Sequence, residues 1–173
     1  MADNPVYRQP LRLAYADPPY IGKSWRYDHP DAARWDDPVE HVALMADLDA
    51  SFDGWALSCL SGSLRLLLPA APERARVAAW VKPWCAFKRN VRIAYSWEPV
   101  IFAPGRDRST EGAPVGRDHL SAPMMMRAGL VGAKPPSFCR WVADLLGYAE
   151  GDELVDIFPG TGIMDRSLEG RLL

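Results

Sequence analysis

The stretch Leu11 to Tyr20, LRLAYADPPY, constrains the fold more than any other part of this chain. An apolar run of strand character ends on an acid, Asp17, and two prolines and an aromatic follow at once. Pro18 and Pro19 fix their own φ and hold the residue before each in extended backbone, so the Pro18 carbonyl has a preset direction. A strand that ends this way delivers a carboxylate, a carbonyl and the flat ring of Tyr20 to one place. Two acceptors and a stacking face form a rigid clamp for an exocyclic amine on a planar base. Asp-Pro is also a common turn dipeptide, but a plain turn does not account for the second proline and the aromatic. Near the other end, DELVDIFPGTG (152–162) sends a second apolar run into a turn with two glycines. Gly160 and Gly162 permit positive φ and close approach of a ligand to the backbone. An ordinary strand-to-helix turn accounts for G-x-G equally well, and no third glycine or P-loop lysine accompanies it.

Between these runs the pattern alternates. DDPVEHVALMADLDASF (36–52) reads as a helix with Asp37 as N-cap, Pro38 at its first position and Glu40 completing a capping box. WALSCL (55–60) and RVAAWVK (76–82) read as strands, SLRLLL (63–68) as a short helix, and PVIFA (99–103) as a strand paired antiparallel. KPPSFCRWVADLLG (134–147) places Phe138, Trp141, Val142, Leu145 and Leu146 on one helical face, with Gly147 as C-terminal cap. The expected fold is a single α/β domain over 1–173, with a mostly parallel sheet of about five strands and helices on both faces. Residues 104–132 are expected as a long loop or target-recognition excursion. In such a sheet ligands bind beyond the carboxyl ends of the strands, which puts DPPY and FPGTG at one crevice.

These motifs resemble those of a known family. DPPY (Asp17, Pro18, Pro19, Tyr20) is similar to the catalytic motif of S-adenosylmethionine-dependent amino-methyltransferases acting on adenine N6 or cytosine N4. DIFPGTG (Asp156, Phe158, Gly160, Thr161, Gly162) resembles their cofactor motif. AKPPSF resembles the Lys-Pro segment by the cofactor's methionine end, here Lys134, Pro135 and Ser137. WVKPW (80–84) and WEPVIF (97–102) are similar to the intervening strands, so the resemblance spans nearly the whole chain. With the catalytic motif first, the order is that of the circularly permuted DNA methyltransferases. The resemblance implies a Rossmann-like methyltransferase fold, S-adenosyl-L-methionine as cofactor, and methyl transfer to a base amine, adenine N6 in DNA being favoured over cytosine N4 and RNA. Asp17 and the Pro18 carbonyl then hold the amine, and Lys134 and Ser137 meet the cofactor's carboxylate. Lys23, Trp25 and Arg26 form a substrate loop, Trp25 being equally readable as a lid or core residue.

Charge is uneven along the chain. Residues 1–60 hold 5 basic and 10 acidic groups, and residues 82–134 hold 9 basic and 4 acidic. Lys88, Arg89, Arg106, Arg108 and Arg117 of the basic stretch are candidates for phosphate contacts, although scattered solvated charges are the plainer reading. Three separated cysteines, in no CxxC pattern, suggest reduced thiols in a cytoplasmic protein. The histidines show no metal-ligand spacing, and no apolar run reaches the ~20 residues of a membrane span. In the resembling family a further strand carries an acid for the ribose, whereas this sequence ends 11 residues after Gly162. The apolar 153–158 strand is therefore expected at a sheet edge, which a homodimer or larger complex, or the 104–132 loop of the same chain, would cover; either the chain is a shortened relative or the acid comes from a second copy or from a residue such as Asp165. Two other readings stand beside the first. A protein-glutamine methyltransferase usually has Asn before the prolines and the cofactor motif first, and an inactive methyltransferase-like module would bind cofactor without transfer.

Overall fold

The computed structural model describes residues 9–84, 90–106, 115–125, 133–160 and 162–169. Among the described residues, six strands form one sheet: β1 (Arg12–Ala16), β2 (Gly54–Ser58), β3 (Arg76–Val81), β4 (Trp97–Ala103), β5 (His119–Ser121) and β6 (Glu153–Asp156), in the order β5-β3-β4-β2-β1-β6. β1 lies parallel to both β2 and β6, and β3 parallel to β5. β4 runs antiparallel to its neighbours β2 and β3, as its sequence predicts. All strands but β4 therefore point the same way. β6 is the edge strand, as expected, and the sheet has one strand more than the sequence indicates. The extra one, β5, lies inside the stretch read as a loop. At three residues it carries little pattern of its own, and it is held by pairing Ala79 with His119 through Val81 with Ser121.

The described residues form α-helices over the sheet at α1 (Pro38–Ser51), α2 (Leu64–Leu67), α3 (Pro136–Leu146) and α4 (Ile163–Glu169). Period-two alternation sorts β1 between two cores. Leu13 and Tyr15 join Trp80, Phe102, Phe138, Val142 and Leu146 on the α3–α4 face. Ala14 and Ala16 join Met45, Leu48, Trp55 and Leu67 on the α1–α2 face. Burial of each large side chain contributes about 1.5–3 kcal/mol, and both faces carry a buried apolar cluster, so the sheet is clamped from two sides. Gly54 opens β2 where the chain passes Gly105 so closely that an added Cβ would lie 2.3 Å from the Gly105 nitrogen. Cys59 and Cys139 are buried core thiols.

The helix ends follow local chemistry. The Asp37 carboxylate accepts from Val39 N–H at 2.9 Å and Pro38 occupies the first turn. The expected capping box does not close: Glu40 turns outward to Arg34, whose Nε donates to it at 3.0 Å. The guanidinium is the stronger, charged partner for that carboxylate. α3 ends at Gly147, whose φ of 73° is left-handed, as its sequence predicts.

Candidate active site

Because β1 and β6 are parallel neighbours, with Tyr15 opposite Asp156, their following turns emerge side by side. DPPY leaves β1 and IFPG leaves β6 at the same carboxyl edge. The turn after β6 has φ of 40° at Gly160 and 63° at Gly162, values that favour glycine. Asp156 lies partly buried beneath this turn and accepts from Phe158 N–H at 3.2 Å. Burial, reinforced by the charges of Asp165 and Asp17, pushes its carboxyl up to about 6. The ring of Phe158 meets Trp35 edge-on at 5.1 Å, and Trp35 meets His41 at 5.4 Å.

The reversal of β4 brings a second set of groups to the same edge. Its first residues lie beside the end of β3, with Trp80 opposite Glu98. Four charges and a phenol converge there. Lys134 Nζ lies 3.0 Å from Asp17 Oδ1 and 2.9 Å from Oδ2, 3.0 Å from the Tyr20 hydroxyl and 3.4 Å from Glu98 Oε2. The Tyr20 hydroxyl donates to Glu98 Oε2 at 3.1 Å, and Lys82 Nζ donates to Glu98 Oε1. Lys82 and Lys134 are nearly buried, with side chains 8% and 7% exposed, whereas Asp17 retains 25%. Burial disfavours the Lys134 charge, but Asp17 and Glu98 outweigh it and hold the ammonium above its ordinary pKa. Burial likewise opposes ionisation of Glu98, and Lys134 and Lys82 overcome it, so its pKa lies below the usual value. Tyr20 is held neutral, its pKa raised first by burial and then by Asp17 and Glu98. The site is therefore two ammoniums balanced by two carboxylates, with a neutral phenol between them.

Sequence reasoning pointed to Asp17, Pro18, Pro19 and Tyr20, and the structure places them together at the end of β1. Pro18 is buried and Pro19 and Tyr20 are partly so. Lys134 and Pro135 are buried and Ser137 partly buried at the start of α3. Lys134 was expected to face a cofactor carboxylate, but here it spans both oxygens of Asp17. Lys82 and Glu98 were missed. The predicted antiparallel pairing of β4 was the available signal, because it moves the start of that strand to the carboxyl edge.

Beyond Tyr20 the chain turns, Lys23 N–H donating to Tyr20 O at 2.8 Å. Asp36 accepts from Gly22 N–H, Ser24 N–H and the Ser24 hydroxyl, pinning this loop to the 3-10 turn Ala32–Asp36. Trp25 is 74% exposed, which removes the core reading of that residue, and Arg26 stacks on its ring at 5.1 Å. Tyr27, Trp84, Tyr95 and Trp97 are also exposed. A shallow groove of about 320 Å³ runs along Ile93–Trp97 and Ser61.

Two candidates for phosphate contact lie elsewhere. Arg106 follows β4 at the opposite, amino edge. It donates to Asp152 Oδ1 at 2.8 Å and to Gly147 O at 2.8 Å, and is 16% exposed. Its charge is paired inside the protein, where it holds β4 to the α3–β6 turn. Arg117 precedes β5 at that same edge and gives its carbonyl to Trp141 Nε1 at 2.9 Å. A count of charge along the sequence merges two edges of the sheet that the fold separates. Lys88, Arg89, Arg108 and Thr161 lie outside the described residues. Among the described residues, no cluster of three His, Cys, Asp or Glu side chains is arranged to hold a metal, and no helix is long and apolar enough to cross a membrane.

Comparison with protein-family models finds no match, and no curated protein matches. Solved structures do match. The crystal structure of the M1.HpyAVI–SAM complex superposes with a TM-score of 0.59 at 14% identity, over 93% of this chain and 78% of that one. M1.HpyAVI alone gives 0.57 at 14% identity, over 93% and 77%. The chain thus has the Rossmann-like methyltransferase fold.

Proposed function

We propose that this chain transfers a methyl group from S-adenosyl-L-methionine to the exocyclic amine of a nucleic-acid base, adenine N6 in DNA being the first choice. The observation that carries the reading is the pairing of β1 with β6, which brings DPPY and the glycine turn out side by side at one edge of the sheet. The fold-level match to a structure solved with SAM supports the cofactor.

The residues present suit that group. The glycines after β6 leave backbone accessible, and Asp156 and Asp165 supply acids beside the turn for hydroxyl or ammonium donors. Phe158, Gly160, Thr161 and Gly162 would line the adenosine side, with Pro135 and Ser137 toward the methionine end. When bound, the cofactor supplies an electrophilic methyl carbon. The chain's part is positioning and electrostatics. Asp17 accepts one amine hydrogen with the lone pairs Lys134 leaves free, the Pro18 carbonyl accepts the other, and Pro19 holds that carbonyl still. Tyr20 presents its ring to the base while its hydroxyl stays anchored inside. A base must leave its stack to reach this clamp. Lys23, Trp25 and Arg26 stand on the loop beside it, and the exposed rings of Tyr27, Trp84, Tyr95 and Trp97 offer stacking faces for neighbouring bases. Lys88, Arg89 and Arg108 remain candidates for phosphate contact. A second copy of the chain pairing along β6 would shelter that edge, which light scattering tests.

The decisive experiment incubates the protein with labelled S-adenosylmethionine and separate DNA and RNA, followed by mass analysis of the nucleosides. N6-methyl-2′-deoxyadenosine from the DNA is the expected product. Cofactor binding with no methyl group in either nucleic acid would replace this reading with that of a binding module.

A further inference from the structure

Glu98 belongs to neither motif, yet three groups of the crevice converge on its carboxylate. Oε2 accepts from the Tyr20 hydroxyl at 3.1 Å and lies 3.4 Å from Lys134 Nζ, and Oε1 accepts from Lys82. With its side chain 18% exposed and both oxygens engaged inside the protein, it is less open to a ligand than Asp17 at 25%. Its partners include one residue of the clamp, Tyr20, and the lysine that spans another, Asp17.

Two consequences follow from the geometry. A phenol has one proton to donate. Tyr20 gives it to Glu98 and accepts from Lys134 at 3.0 Å, so the ring is tethered at its hydroxyl as well as at its backbone. The second consequence is electrical. Removing the Glu98 charge would leave two buried ammoniums, Lys82 and Lys134, with Asp17 as the one carboxylate in the network. Both would then draw on the oxygens that the substrate amine needs. Buried charge left without its partner is costly, and the local structure shifts to relieve it.

Resting on the reading of this crevice as an amine clamp, we propose that Glu98 is the positioning residue of the site: it fixes Tyr20 directly and Asp17 through Lys134, with Lys82 neutralising it. Glu98 does not touch the substrate. It holds the ring and the carboxylate in register, so its loss lowers turnover more than it weakens cofactor binding.

The test is a double-substitution cycle in the full chain with Glu98→Gln, Tyr20→Phe and both together. Tyr20→Phe keeps the stacking face and removes only the tether. Glu98→Gln should lower kcat by about 100-fold, the order expected for a misplacement near 1 Å, with cofactor affinity little changed. Adding Tyr20→Phe to Glu98→Gln should cost less than it does in the wild type, because the neutral amide is the weaker acceptor for the hydrogen bond that Tyr20→Phe removes. Wild-type turnover in Glu98→Gln, or two losses that simply multiply, would overturn the proposal. The same cycle is read by urea unfolding, which needs no substrate. Coupling there with an inert wild type supports the role of Glu98 and removes the methyl-transfer reading; no coupling by either readout removes Glu98. Should Glu98→Gln fail to fold, Glu98→Gln with Lys82→Met deletes the pair at constant net charge. That variant should fold and still turn over slowly, and full activity in it would overturn the proposal.

Discussion

The two edges of the sheet each carry a buried ion pair, and the pairs are built on opposite principles. At the amino edge Asp152 accepts from Arg106, from Leu11 N–H at 2.9 Å and from Ala149 N–H at 2.8 Å, with its side chain 1% exposed. Its oxygens are shared equally between two backbone N–H groups and the two arms of the Arg106 guanidinium, and no capacity faces outward. At the carboxyl edge Asp17 is met by a lysine side chain, whose own partners are side chains, and it keeps contact with solvent. One carboxylate completes the fold. The other keeps part of its surface open to solvent. Similar local chemistry therefore does different work according to how much of its hydrogen-bonding capacity the fold uses.

That contrast can be broken at either end. The largest effect is expected from Asp17→Ala, which should cut methyl transfer by about 1,000-fold, the upper range for removing one preorganised electrostatic partner. Its unfolding free energy should change far less, since Lys134 retains Glu98; a full-length variant with near-normal turnover would take Asp17 out of the reaction. Arg106→Ala should do the reverse. Stranding the buried Asp152 charge should cost about 3 kcal/mol of stability, measured by urea denaturation, while nucleic-acid affinity of the folded protein stays as in the wild type. A selective loss of nucleic-acid binding there would return Arg106 to the interface.

Trp25→Ala sharpens the outward-facing side of the comparison. If the exposed indole stacks on a base, affinity for a single-stranded oligonucleotide should fall by about tenfold, within the usual 1–3 kcal/mol per stacked base. Fluorescence titration reads this, and unchanged affinity would leave the ring idle. The smallest effect concerns Asp156. Its carboxyl is raised to about 6 by burial, so ionising it opposes folding, and stability is lost as pH rises from the ordinary carboxylate range through about 6. Asp156→Asn should therefore raise the melting temperature at neutral pH and leave it unchanged at pH values below the ordinary carboxylate range. A gain of equal size at both pH values would show that burial of the charge is not the cause.

What the sequence made legible was local. The strand ending in Asp17 and the turn with Gly160 and Gly162 announce themselves because prolines and glycines constrain the backbone at their own positions. The spacing of Phe138, Trp141, Val142, Leu145 and Leu146 gives α3 because one helical face needs no distant partner to be recognised. Lys82 and Glu98 were hidden because their meeting depends on the register of β3 with β4 and on the reversal of β4 within a parallel sheet. The pairing of Arg106 with Asp152 was hidden for the same reason: the two residues are 46 positions apart. β5 escaped notice because three residues become a strand by pairing with β3 and not by their own propensity.

The neighbouring of β1 and β6 also orders events in time. Arg12 and Glu153, which face each other across these strands, are 141 positions apart. At about 5–20 residues per second of synthesis, roughly 7–30 s separate their appearance on the ribosome. Asp17 is made early, whereas Lys134 follows 117 positions later, just ahead of α3. A nascent chain therefore exposes one flank of β1 and an unmatched carboxylate until α3 and β6 arrive. Long-range parallel pairing of this kind is slow to form, and Asp17 acquires its charge partner only once Lys134 is in place at the head of α3, so a product truncated before Lys134 carries the DPPY residues with that carboxylate unmatched.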